Sequence, residues 1–244
     1  MGNILIRKYN VGSGETDLFN RLRPSSLLAF LQDAATLHAE ELNLSRDELI
    51  GSTGGIWVMS RLWYELYENI PGGVTLEVKT WHRGAKGTFF YRDFEISVGG
   101  VAKGRAVSAW LVVDKEKRRI IRPSVLEDVS ELGMVENGYD IELGRIKPKV
   151  CLKEIMKRRV NYSDLDINRH LNNTKYMDII CDAMHMEDMT GKYINCFQIN
   201  YIGECRAGEE ISIIAGKEDE NVYLTGIDLE KKARFESVVS LCSE

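Results

Sequence analysis

Two stretches of this chain copy one another at a separation too long for a repeat array. Asp17-Leu18-Phe19-Asn20-Arg21-Leu22 corresponds to Asp166-Ile167-Asn168-Arg169-His170-Leu171 at a shift of 149 residues, and the same shift pairs Asp33-Ala34 with Asp182-Ala183. Farther on, Gly73-Val74-Thr75-Leu76-Glu77-Val78 aligns with Gly208-Glu209-Glu210-Ile211-Ser212-Ile213 at a shift of 135, so 14 residues are lost between the two matches (149 − 135). The stretch Gly51-Ser52-Thr53-Gly54-Gly55 accounts for part of that loss. Solenoid periods run roughly 20–50 residues, so a period above 100 means two copies of a domain. A chain of 244 residues has room for two units of roughly 120 residues, inside the usual domain range.

The local patterns repeat as well. From Pro24, which suits a first helical turn, Leu27, Leu28, Leu31, Ala34, Ala35, His38 and Leu42 recur at spacings of three and four, giving one apolar helical face. Residues 57–67, 74–81, 89–98 and 102–113 follow, rich in β-branched and aromatic side chains and separated by Pro71-Gly72-Gly73, the glycines between 84 and 87, and Gly99-Gly100. One helix followed by four strands with short turns describes an antiparallel sheet with a helix against one face. After an aperiodic stretch comes a polar run, a helical pattern through Tyr176, Ile179, Ile180, Ala183 and Met184, and strand-like runs at 194–202, 210–215, 222–229 and 233–241. The expected organisation is one unit over 1–127, a linker over 128–152 and a second unit over 153–244.

Charge and cysteine usage narrow the class. With 32 basic against 37 acidic residues the net charge is −5, which argues against nucleic acid as a partner, although local basic patches remain open. The five cysteines, Cys151, Cys181, Cys196, Cys205 and Cys242, are odd in number and contain no C-x-x-C pair, which suits reduced thiols. The first residues carry a short apolar run followed by charges and read as a strand, not a secretory signal. No window approaches the roughly 18 apolar residues of a membrane-spanning helix, so a cytoplasmic location with no membrane span is expected.

The densest polar cluster beside apolar structure is Asp164-Leu165-Asp166-Ile167-Asn168-Arg169-His170-Leu171-Asn172-Asn173. In an extended backbone Asp166, Asn168 and His170 point to one side, so a carboxylate, an amide and an imidazole converge. Asn172 or Asn173 then caps the following helix, whose N-terminal N–H groups suit an oxygen that gains negative charge. The same string also describes a capped turn with solvated side chains, and spacing alone does not choose.

The run Ser163-Asp164-Leu165-Asp166-Ile167-Asn168-Arg169-His170-Leu171-Asn172-Asn173-Thr174-Lys175-Tyr176, followed by Tyr201-Ile202-Gly203-Glu204-Cys205, resembles the acyl-ACP thioesterases of plants and bacteria. Ile56-Trp57-Val58 and Ser108-Ala109-Trp110 are similar to strands of that family's first half. The resemblance covers most of the chain from about Lys8. It implies an α+β tandem double hotdog fold, each half a long helix wrapped by an antiparallel sheet, and hydrolysis of the thioester of fatty acyl-acyl carrier protein to release free fatty acid. It also implies catalytic roles for Asp166, Asn168, His170 and Glu204, with Cys205 a candidate nucleophile.

The repeat adds an expectation of its own. The first copy keeps Asp17 but has Phe19, Arg21, Asn69 and Ile70 where the second has Asn168, His170, Glu204 and Cys205, so the chemistry belongs to the second copy and an acyl-chain pocket to the first. Hydrolysis needs a positioned, deprotonated water and oxyanion donors. In the preferred assignment Glu204 is the base, Asn168 and His170 bind the water or thioester, and Asp166 orients them. The competing route has Cys205 attack with His170 as its base. Neighbouring strand residues point to opposite faces, which sets Glu204 and Cys205 apart unless a bulge intervenes.

Trp57 and Met59, with Trp63, Phe89, Phe90 and Trp110, are candidate pocket residues, and Asn172 and Asn173 candidate substrate contacts; the sequence does not say which aromatics face inward. His38 reads as a core residue on the apolar helical face, His82 and His185 as surface residues. The histidine and cysteine spacings match no metal pattern and the glycine clusters at 12–14 and 51–55 read as loops, so neither metal nor cofactor is expected. An acidic carrier protein requires a local basic patch, for which Arg118 and Arg119, or Lys157 and Arg158, are candidates. A non-catalytic acyl-binding or dehydratase-like hotdog protein is the alternative of a different class. Monomer and homodimer both remain open.

Overall fold

A computed structural model describes residues 4–126, 134–135 and 138–244. The chain forms one antiparallel sheet from strands β1 (Ile4–Asn10), β2 (Gly55–Leu66), β3 (Thr75–Lys86), β4 (Phe89–Val98), β5 (Val101–Asp114), β6 (Ile120–Ile121), β7 (Lys153–Arg159), β8 (Lys192–Tyr201), β9 (Glu210–Glu218), β10 (Asn221–Ile227) and β11 (Ala233–Ser243). Its order is β1-β3-β4-β5-β2-β8-β11-β10-β9-β7, with β6 paired to β5. Strands of the first copy occupy one half and strands of the second the other. The two meet where Arg61–Glu65 of β2 pair with Asn200–Cys196 of β8.

Helices α1 (Pro24–Glu41) and α3 (Lys175–Ala183) pack on one face of this sheet. Pro24 opens α1, and Leu27, Leu28, Leu31, Ala34, Ala35 and His38 are its buried stripe, as the periodicity predicts. One core unites the copies: Leu31 and Ala34 of α1 share it with Met177 and Ile180 of α3, and the Tyr64 and Phe197 rings meet across the β2–β8 seam at 5.6 Å. The second helix is half the length of the first, nine residues against 18, and gives way to the single turn α4 (Met186–Met189). Among the described residues no helix is long and apolar enough to cross a membrane.

The repeat is visible bond by bond. The Asp17 carboxylate accepts the N–H groups of Phe19 (2.9 Å) and Arg21 (3.0 Å), as Asp166 accepts those of Asn168 (2.8 Å) and His170 (3.1 Å). Asn20 and Arg169, 149 residues apart, both take a left-handed backbone at φ 59° and 62°. Leu22 N–H donates to Ile70 carbonyl as Leu171 does to Cys205, and Gly73 and Gly208 share φ 84°.

Three readings of the sequence are corrected. The glycine cluster 51–55 is not a loop: it ends helix α2 (Arg46–Thr53), which a reciprocal Ser45–Glu48 capping box starts and a left-handed Gly54 (φ 71°) stops. The polar run before the second motif includes the edge strand β7. His82 is buried, with Nδ1 3.1 Å from the Tyr91 carbonyl, because β3 turns that position into the sheet's helix-covered face.

The proposed linker, 128–152, falls partly on residues outside the description (128–133 and 136–137). Its described part crosses the other sheet face, where Leu143 is buried against Tyr91, Val107 and Ala109, with Trp63, Phe89, Tyr139 and Ile141 around it. Asp93, fully buried on that face, accepts the Tyr139 N–H at 2.9 Å. Leu143→Ala is expected to lower unfolding stability by about 2–5 kcal/mol, toward the low end because the strap can settle into the gap. Denaturant unfolding at unchanged m-value checks this.

Candidate active site

The second copy's polar loop is built by its carboxylates. Asn161 and Asp164 cap one another across a single helical turn, and Arg158 donates to Asp164 at 2.9 Å, which fixes the loop's entrance. Asp166 then gathers three donors: besides the two backbone N–H groups, it accepts Asn168 Nδ2 at 3.2 Å. The segment is therefore a tight turn with Arg169 left-handed, not the extended backbone the i, i+2, i+4 spacing suggests. Asp166, Asn168 and His170 still come together, because the Asp166 side chain folds the turn around itself.

Opposite this turn lies the irregular segment that follows β8. His170 Nε2 stands 3.4 Å from Glu204 Oε2, and Arg118 Nη2 donates to Glu204 Oε1 at 2.6 Å. Arg234, itself paired with Asp228 at 3.0 Å, donates to the Glu204 carbonyl at 2.9 Å and holds the backbone. Glu204 and Cys205 diverge. Glu204 is 40% exposed at the mouth of a cleft, whereas Cys205 is fully buried in the shared core and burial pushes its thiol above the usual cysteine range.

The start of α3 lies beside the turn. Asn172 Oδ1 accepts the N–H (3.0 Å) and hydroxyl (3.1 Å) of Thr174, one residue before the helix. Asn173 reaches Gln32 of α1 at 3.4 Å and its carbonyl accepts the Tyr201 hydroxyl at 3.0 Å. The two copies thus meet at the loop.

The cleft, about 1980 Å³, runs from this loop beneath the C-terminal half of α1. Trp57, Met59, Phe90 and Trp110 line it, whereas Trp63 and Phe89 face the strap on the other side of the sheet. Strand register makes Met59, Trp110 and Phe90 one apolar row across β2, β5 and β4. Beside it the register places Ser108, Arg92 and His82 as a polar row. Arg92, missed in the sequence reading, is buried, donates to His38 Nδ1 at 2.7 Å and lines the cleft; desolvation lowers its pKa to about 10. An arginine two residues from Phe90 in an otherwise apolar strand face was the available signal.

Of the basic candidates, Arg118 and Arg119 are exposed on the turn after β5, with Arg118 committed to Glu204. Lys157 lies 3.5 Å from Glu210, and Arg158 braces Asp164. The cleft is also lined by Arg46, Lys115, Arg169 and Arg206. In the first copy the corresponding place is closed: Arg21, 3% exposed, pairs with Asp17 at 3.0 Å and Glu244 at 2.9 Å and also donates to the Lys192 carbonyl. The void left there is about 20 Å³, room for little more than a water molecule.

Fold and site define a tandem hotdog protein with an acid-imidazole pair over a long cleft. Residues 2–132 match the model of the acyl-ACP thioesterase N-terminal domain and residues 150–237 that of the C-terminal domain, and the chain belongs to the acyl-ACP thioesterase family. It is 24% identical over 226 residues to the chloroplastic oleoyl-acyl carrier protein thioesterase 1 of Arabidopsis thaliana, covering 85% of this chain and 60% of that protein. To the chloroplastic palmitoyl-acyl carrier protein thioesterase of Cuphea hookeriana it is 27% identical over 217 residues, covering 83% and 51%. The chain thus spans between half and two thirds of these relatives' length. The fold matches an acyl-ACP thioesterase structure from Bacteroides thetaiotaomicron (TM-score 0.89, 23% identity, 98% of each chain). It also matches the 12:0-ACP thioesterase of Umbellularia californica (TM-score 0.87, 17% identity, 100% and 99%).

The burial of Cys205 has a direct consequence for thiol chemistry. In native protein, alkylation followed by mass spectrometry is expected to modify the exposed Cys151 and Cys242 and to reach Cys205 only after unfolding. Labelling of Cys205 at the rate of Cys151 would contradict its placement.

Proposed function

We propose that this protein hydrolyses the thioester of fatty acyl-acyl carrier protein, releasing the free fatty acid and the carrier's thiol. The observation that carries this reading is the His170–Glu204 pair at the mouth of a long, partly apolar cleft, in a chain whose relatives are named for that reaction. Glu204 takes a proton from water as the water oxygen attacks the carbonyl carbon. Asn168 and His170 bind the water or the thioester, and Asp166 keeps the turn that presents them. Of the backbone N–H groups at the start of α3, those of Thr174, Lys175 and Met177 are taken up within the turn, which leaves Asn173 and Tyr176 to meet the oxyanion. On collapse the carbon–sulfur bond breaks and the proton passes to the departing sulfur.

The burial of Cys205 supports the water route over the covalent one, since a nucleophile needs contact with the carbonyl and a populated thiolate. The second copy, 153–244, carries the chemistry and the first, 1–127, shapes the pocket. The acyl chain lies along Met59, Trp110 and Phe90, about 10 Å across two inter-strand steps. The acidic carrier docks on the arginines and lysines around the mouth, in place of the Lys157 and Arg158 patch.

Two measurements test this reading. Thiol release from acyl-carrier substrates should fall by on the order of 10²–10⁴-fold in Glu204→Ala, while Cys205→Ala stays within about tenfold of the parent and no acyl-enzyme adduct is trapped. An adduct at Cys205, with activity lost only in the cysteine variant, would sink the water route. Arg92→Leu removes the charge bordering the apolar row and is expected to move the optimum of kcat/KM against chain length toward longer chains. An unchanged profile in a folded variant argues against that border.

A further inference from the structure

Each copy ends its last long strand close to the other copy's polar turn, and the two endings carry opposite charge. Beyond β5, the turn from Asp114 presents Arg118 to Glu204 of the second copy at 2.6 Å. Beyond β11, Glu244 reaches Arg21 of the first copy at 2.9 Å, with Asn69 3.4 Å away. Asn69 is the counterpart of Glu204, and Arg21 that of His170. In the second copy a base and a carboxylate face an arginine from across the seam; in the first an arginine and an amide face a glutamate. Both corners are charge-complementary, and only one is open.

The Arg118 turn is built to a fixed shape. Asp114 Oδ1 accepts the N–H groups of Glu116 (3.0 Å) and Lys117 (2.7 Å), its carbonyl accepts Arg118 N–H at 2.9 Å, and its own N–H donates to the Arg119 carbonyl at 2.8 Å. Arg118 itself holds a left-handed backbone at φ 55°, a conformation a non-glycine residue adopts at some cost. These bonds close the hairpin between β5 and β6, so the base from which the Arg118 side chain reaches Glu204 is fixed by the backbone.

From this the geometry points to Arg118 as a positioning residue for the hydrolytic site, supplied by the first copy to the second. By engaging Oε1 of Glu204, Arg118 holds the carboxylate so that Oε2 faces His170 and the reacting water. Its principal role is then orientation of Glu204, not attraction of the carrier. The inference rests on the hydrolase reading above, in which Glu204 is the base.

The test uses the full chain with two substrates, an acyl-carrier thioester and the same acyl group on a small neutral thiol. Arg118→Ala is expected to lower kcat on both by on the order of ten- to a hundredfold, with KM changed less than about threefold. Arg118→Lys, which keeps a donor and the charge, recovers part of that loss, and added guanidinium ion partly rescues Arg118→Ala. In a Glu204→Ala background, Arg118→Ala costs little more, because the group it positions is gone. A rise in KM confined to the carrier substrate, with kcat and the small thioester untouched, would make Arg118 a docking residue and overturn the inference. Losses that multiply with Glu204→Ala would overturn it too. A normal rate in Glu204→Ala alone would instead reject the hydrolase reading, so the two failures are distinct.

Discussion

Everything distinctive in this molecule depends on the antiparallel pairing of β2 with β8. Five residue pairs, Arg61 with Asn200 through Glu65 with Cys196, join two half-sheets into one and bring Tyr64 against Phe197. Neither half-sheet then presents an open edge at the seam, where unpaired N–H and carbonyl groups would otherwise invite association. The pairing also brings α1 against α3 across a common core. Because antiparallel pairing of equivalent strands relates the copies by an approximate two-fold axis, the polar turn of each faces elements of the other, and Gln32, Met59 and Arg118 of the first copy come beside the turn of the second.

The two turns share one backbone and differ in the side chains they display. The carboxylates of Asp17 and Asp166 make the same backbone bonds, so the shape of the turn does not depend on the side chains it displays. What differs is the display. Arg21 fills its corner with a guanidinium that satisfies Asp17 and Glu244 and leaves almost no volume, whereas His170 is shorter and leaves an open cleft. Where Arg21 stands in place of His170 the corner is closed, and among the described residues the large cleft opens at the second copy's turn.

Much of this was legible in the sequence because it is local or repeated. The strands after residue 55 are rich in β-branched and aromatic residues and are set apart by glycine turns, the α1 stripe has a clean helical period, and the shifts of 149 and 135 residues anticipate bonds that recur at those separations. The failures have common physical causes. A short helix such as α2 buries only Leu49, so its capping box carries more signal than its hydrophobicity. His82 looked exposed because Lys79, Thr80, Arg83 and Lys86 around it are polar, while its burial is set by the strand register that places it beside Phe90 and Arg92. The Glu204–Arg118 contact joins residues 86 positions apart, and no local pattern announces it.

Arg92 sets a buried charge in the wall of the cleft beside its apolar row. A guanidinium is always a donor, so its 2.7 Å contact requires His38 to offer the Nδ1 lone pair and carry its proton on Nε2. Thr80 Oγ1 accepts a second, longer bond at 3.3 Å. Asp93, its neighbour in sequence, faces the other side of the sheet toward Arg83 and Tyr139, and among the described residues no carboxylate forms an ion pair with Arg92. A charge taken from water at this depth costs several kcal/mol, which these neutral acceptors offset in part and residual hydration from the cleft offsets further. Methylenes laid against the guanidinium would strip away that hydration and provide no acceptor in return. The apolar row of Met59, Trp110 and Phe90 imposes no such cost, so a hydrocarbon chain bound as proposed is held to that row by the penalty of leaving it.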